Sequence, residues 1–326
     1  MTSGFQTQCY NQPAVAVAGN RATQNPIASF DAGPGGLVAG TGGVVVGRFA
    51  WVYPPDDPNG GATIALNSSN SQMGIPSTFP AGLVPNDVQA QNSTFLSNAG
   101  MTILAGYQMY LVTQGDWWVV NDGTVVPVPN YSKAYANVAT GKVQFANPGT
   151  IIGGASATSS SIAANGTAIS MTGSIADDVL TITAVGTGTL YPGTILTGPT
   201  GVATATMITS QLTGTAGGVG TYLLNIGQQT VASGTVVGTY GILTIGTATG
   251  TFAVGDILTG TGVVAGTQIT QNLTGSGGTS GTMIVNNATV VSSTTITAST
   301  AVETKWIATT SGPGSALVRI SSWQTS

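Results

Sequence analysis

Met109-Tyr110-Leu111-Val112, then Thr113-Gln114-Gly115-Asp116, then Trp117-Trp118-Val119-Val120 places two short runs of strand-forming residues on either side of a four-residue link that contains glycine. Aromatic and β-branched side chains pack well on a pleated surface, and a glycine in the link supplies the positive φ that a tight connection needs. The stretch is expected to form a β-hairpin. A second hairpin is expected where residues 135–138 pass through Ala139-Thr140-Gly141-Lys142 into residues 143–146. Similar runs of Val, Ile, Thr and aromatic residues, broken by Gly, Pro, Asn and Asp, recur along the chain with almost no helical periodicity. The fold class is therefore all-β.

The 326 residues are 41% hydrophobic, enough to build packed cores, but only 5% are charged, against about 25% in ordinary soluble domains. Six basic residues stand against ten acidic ones, for a net charge of −4. Scattered as they are, they form neither a counterion-releasing surface for nucleic acid nor a polybasic patch for lipid, so neither nucleic acid nor membrane is expected as a partner. Cys9 is the single cysteine, which excludes an intrachain disulfide and a thiolate metal cluster. Met1 to Ala14 has no charged leader followed by an apolar run, so folding in a reducing cytoplasm is expected.

Composition changes near Asn147-Pro148-Gly149. Between Thr150 and Thr300 there is no Lys, Arg or Glu, and Asp177, Asp178 and Asp256 are the only charged residues. This stretch also repeats. Val179-Leu180-Thr181-Ile182 returns as Ile242-Leu243-Thr244-Ile245, Ile195-Leu196-Thr197-Gly198 as Ile257-Leu258-Thr259-Gly260, and Leu212-Thr213-Gly214 as Leu273-Thr274-Gly275. Two tandem β-units of about sixty residues are expected, over about 174–238 and 239–300. Their strands lack the Lys and Glu that usually guard sheet edges, so those edges should be covered, closed or paired with another subunit; a homo-oligomer, dimer or trimer, is the expectation.

With no histidine in the chain, Ser-His-Asp and Cys-His catalysis cannot be assembled. The adjacent carboxylates Asp56-Asp57 and Asp177-Asp178 would point to opposite faces of a strand, so each pair is expected in a solvated turn rather than as an acid–base dyad. Asp177-Asp178 also lacks the Asp/Asn/Gly spacing of a calcium loop. No catalytic, cofactor or metal residue is assigned. Trp117-Trp118 should place one ring in the core and the other at a rim or subunit contact.

Gln8-Cys9-Tyr10-Asn11-Gln12-Pro13, Gly33-Pro34-Gly35-Gly36-Leu37-Val38, and Val45-Val46-Gly47-Arg48-Phe49-Ala50-Trp51, with residues 135–145 and the stretch from Thr304-Lys305-Trp306 to Trp323, resemble the phage structural cement, or head decoration, proteins. The resemblance covers about 175 residues in two pieces. It implies a jelly-roll or β-barrel-like subunit on the outer capsid surface of the virion that bridges major capsid proteins, with no enzymatic role. Gln8, Tyr10, Pro13, Arg48, Phe49 and Trp51 are carried over as fold-defining or capsid- and subunit-contacting positions. The capsid-binding domain is then residues 1–149 plus 302–326, and residues 150–301 are an inserted Gly/Thr-rich module. Because such repeats also resemble modules of phage fibres, a tail-spike or fibre protein contacting host-surface glycans is the alternative.

Overall fold

A computed structural model of the chain describes residues 16–30, 36–53, 63–68, 80–86, 101–123, 131–275 and 278–323. The described residues hold strands and no helix. They form four curled sheets, each of which returns on itself, and a two-stranded ribbon of Val44–Val45 and Thr102–Ile103.

In the first sheet, Leu37–Ala39 pairs with Thr63–Leu66, which pairs with Phe49–Tyr53, which pairs with Gly82–Leu83. Residues 108–114 close the ring. Gln108–Met109 pairs with Leu37–Ala39, while Val112 pairs with Leu83. Leu37, Val44, Val46, Ala50, Ala65, Ile103 and Leu111 fill its interior. Phe49 and Trp51 alternate with Ala50 and so face outward, into a second core.

That second core lies against a five-stranded sheet ordered Asp116–Val120, Leu317–Ser321, Ala301–Ala308, Lys133–Asn137, Val143–Ala146. Its inner side chains include Trp117, Val119, Phe145, Trp306, Val318 and Ile320. A parallel bridge between Asn121 and Val143 joins the first and last strands, and Asp122 N–H donates to Val143 O at 2.8 Å. Residues 301–321 thus supply two strands to this sheet, one of them central.

The stretch 109–120 is not a hairpin. Leu111–Gln114 pairs with Ala28–Phe30 in the first sheet, whereas Asp116–Val120 pairs with Leu317–Ser321 in the second. The chain turns a corner at Gly115, whose φ of +124° suits glycine, and Ser322 closes the corner by donating from Oγ to Gly115 O and accepting from Gly115 N–H. Local sequence specifies a strand, a turn and a strand. Which partner each strand takes depends on where its apolar face is buried, and here the two faces are buried in different sheets. The second expected hairpin does form, between Lys133–Asn137 and Val143–Ala146.

The repeats fold as two barrels that share one six-strand path, one of them with Thr247–Thr249 as a seventh strand paired to Ser156–Ala164. In one, Ile195–Gly198, Gln229–Thr239, Ser170–Asp177, Val179–Thr187, Gly220–Leu224 and Ile208–Gly214 follow in that order. The other runs Ile257–Gly260, Val291–Ser299, Ser156–Ala164, Gly241–Ile245, Gly281–Val285, Ile269–Thr274. Ile195 bridges Met207 and Ile257 bridges Gln268, which closes each ring. Matching bulges at 208–213 and 269–274 add the local bending that closure requires.

The two barrels are nested rather than sequential. Ser156–Ala164 precedes the whole first repeat, yet it supplies the second barrel's third strand, pairing with Gly241–Ile245 and Val291–Ser299. Its Ser161-Ile162-Ala163 matches Ser174-Ile175-Ala176 of the inner barrel, and Ile162 opposes Leu243 as Ile175 opposes Leu180. Both barrels close among the described residues, so their uncharged edges are covered within the chain, the closed-edge case of the expectation.

One buried position differs usefully between the barrels. Asp256 is 3% exposed, and its Oδ2 accepts from Ala253 N–H at 2.9 Å. In the inner barrel Thr194 takes this place and accepts from Tyr191 N–H at 3.1 Å. Burial pushes the Asp256 carboxyl above the ordinary aspartate range, and the Ala253 N–H only partly offsets this. A raised folded-state pKa means that stability is greatest with the group protonated and declines as pH rises through the folded-state value. Asp256→Thr is therefore expected to raise stability at pH 7 by roughly 1 kcal/mol, with the gain shrinking as pH falls through the raised folded-state value and gone below about pH 4, in thermal melts of both proteins across pH.

Candidate contact surface

Of the positions carried over from the resemblance, Gln8, Tyr10 and Pro13 lie outside the described residues, as do Asp56 and Asp57. Phe49 and Trp51 are 0% and 1% exposed in the core between the first two sheets, so they act in holding the fold. Arg48 precedes them on the barrel's outer turn and keeps part of its side chain in solvent. Alternation along the strand accounts for the placement of the two aromatic residues, since Phe49 and Trp51 share one face.

Arg48 borders an open cleft of about 330 Å³, lined also by Val46, Met101, Val120, Asp122, Lys142 and Val143. The turn 138–142 shapes it. Asn137 Oδ1 accepts from the N–H groups of Ala139 and Thr140, and Gly141 O accepts from Phe49 N–H at 2.8 Å. Arg48 Nη1 donates to Thr140 O at 3.4 Å. Lys142 Nζ lies 2.9 Å from Asp122 Oδ1, across the seam where the five-stranded sheet closes. Two of the chain's six basic residues therefore share one cleft with a single carboxylate. Sequence spacing gave no sign of this, because Arg48 and Lys142 are 94 positions apart and meet only through the docked turn.

Trp117 is buried and Trp118 half-buried, as alternation requires. Residues 19–22 run along this strand, with Gly19 N–H donating to Trp118 O at 2.7 Å and Ala22 N–H to Asp116 O at 2.8 Å, so its free edge is covered. Asp116 ties the two together, its Oδ2 accepting from Thr23 Oγ1 at 2.5 Å and Asn25 Nδ2 at 2.7 Å. Burial by itself raises this carboxyl, but hydrogen bonds from Ser321, Thr23 and Asn25, with Arg319 nearby, outweigh it and hold the pKa below the ordinary value. A lowered folded-state pKa contributes stability above the unfolded value that is lost as pH falls through the folded one. Asp116→Asn is accordingly expected to cost about 2 kcal/mol at pH 7. It should also flatten the loss of stability of the parent below about pH 4, measured as the difference in melting temperature across pH.

Asp177-Asp178 forms the two-residue turn between Ala176 and Val179. Asp177 sits at φ +60° and its Oδ1 accepts from Gln228 N–H at 2.6 Å. Burial and the adjacent Asp177 charge raise Asp178. The pair serves turn geometry, and among the described residues no three Asp, Glu, Cys or His side chains cluster as metal ligands. At the neck between the first two sheets and the barrels, Tyr135 Oη donates to Asn147 O at 2.7 Å and lies 3.0 Å from Glu303 Oε2, which accepts from Gly149 N–H at 2.7 Å. Thr300 N–H donates to Ile152 O at 3.1 Å, so the outgoing and returning strands are bound side by side.

A family model described as XM1 gp53 minor capsid protein matches residues 5–184 of the chain, more than half its length. No curated protein and no solved structure matches it.

Proposed function

We propose, from the premise that this chain belongs to the XM1 gp53 minor capsid protein family, that it decorates the outer surface of a phage head and bridges major capsid proteins there. Membership makes it a structural component of the virion associated with the capsid and points to a non-enzymatic role. The finer reading is supported chiefly by the neck. The chain leaves the first two sheets at residues 147–152 and comes back at 299–303, with the two crossings hydrogen-bonded to each other. A body formed by residues 1–149 and 302–326 binds the shell, and the nested barrels of 150–301, attached at one end, project from it.

Binding is the function. Stable association takes an interface of about 1,600 Å², and repetition over a closed lattice adds avidity without new chemistry. The barrels bring almost no charge to this role; they enlarge the decoration. A reconstruction of the intact particle tests the proposal: density for this subunit across the head exterior is the expected result, and label confined to the tail would overturn it.

A further inference from the structure

We infer that the cleft beside Arg48 receives a carboxylate carried on a short aliphatic segment of a neighbouring capsid protein. This rests on the head-surface reading and names the chemistry of the partner.

Three features of the cleft support it. Its walls are apolar, from Val46, Met101, Val120 and Val143, and Val120 stays 39% exposed at the rim, a surface that aliphatic side chains would cover with gain. Its charges do not balance internally. Among the described residues Lys142 and Asp122 form a pair at 2.9 Å, leaving the Arg48 guanidinium as the surplus cation. Arg48 is also under-used, since among the described residues its one partner is Thr140 O at 3.4 Å, near the limit of a hydrogen bond. A guanidinium carries five N–H donors in a planar fork that matches a carboxylate with two parallel bonds. A chain of net charge −4 repels a polyanion such as nucleic acid as a whole, whereas a single carboxylate on an apolar segment satisfies both wall and fork.

The test uses particles from phage encoding the full-length chain with Arg48→Glu, Arg48→Lys or Lys305→Glu, the last reversing an exposed charge away from the cleft. Copies per head are measured against the major capsid protein by quantitative gel or mass spectrometry. Arg48→Glu is expected to lower occupancy at least tenfold, Arg48→Lys less because it keeps charge without the fork, and Lys305→Glu to leave it unchanged. Arg48→Gln, which removes the charge without reversing it, gives the same direction if Arg48→Glu does not fold, with melting of the purified proteins as the check. Arg48→Glu at wild-type occupancy overturns the inference alone. Wild-type chain missing from heads overturns the head-surface reading and this inference with it.

Discussion

A chain lacking residues 166–239, with Tyr240→Gly so that Asn165-Gly forms the new turn, is expected to fold with its outer barrel intact, whereas deletion of 239–300 is expected to abolish folding of the module. Two tandem repeats would tolerate either loss about equally; nested ones cannot. Ala164 and Gly241 are already paired across the outer barrel, and Asn165 N–H donates to Tyr240 O at 3.0 Å. The inner barrel is thus inserted at the tip of a ready hairpin, and Asn-Gly is the two-residue sequence that best suits such a turn. The second deletion removes every partner of Ser156–Ala164 and the strands that lead back to Ala301.

The shortened chain does lose some burial. Ile284 sits in the inner barrel's core, and Ile242 and Leu273 pack against it, so excision exposes part of three aliphatic side chains. A loss of about 2 to 4 kcal/mol from the outer barrel is expected. Circular dichroism and size-exclusion chromatography decide the matter. A shortened chain that is unfolded even when Leu273→Thr relieves the exposed patch would show that the outer barrel cannot close by itself.

Gly141→Ala is expected to be the most damaging single substitution at the seam, costing about 3 kcal/mol or more. Gly141 has φ +65°, and a Cβ there would stand 2.1 Å from Phe49 O and 2.9 Å from Asn67 O. Both neighbours are backbone atoms, so no side chain can rotate away. Asn67 itself is fixed, with Nδ2 donating to Phe49 O at 2.9 Å and Oδ1 accepting from Val45 N–H at 2.6 Å. Asn tolerates positive φ better than Ala, yet Gly141→Asn should be equally poor, because the cost is steric and not conformational. Thermal melts of both variants separate the two causes: rescue by Asn would mean that φ, and not the approach of Phe49 O, demands glycine. Either variant also displaces Thr140 and Lys142, so the Arg48 cleft should change with it.

Much of this protein was legible in its residues taken alone. Val/Ile/Thr runs between glycines specify strands because they encode local backbone preference and alternation, and that suffices for the all-β class. The repeated Ile-Leu-Thr-Gly motif reveals two like units for the same reason: it preserves Leu196 and Leu258, each buried in one barrel. The placement of Trp117 inside and Trp118 half out follows from a period of two. What remained hidden was partnership between distant strands. Tertiary structure alone decided that residues 109–120 turn a corner between two sheets, that Ser156–Ala164 skips the adjacent repeat to join the later one, that the uncharged edges close within the chain, and that Arg48 meets Lys142 across a seam. Each depends on which buried faces come together at long range, and a sequence records the faces without recording their partners.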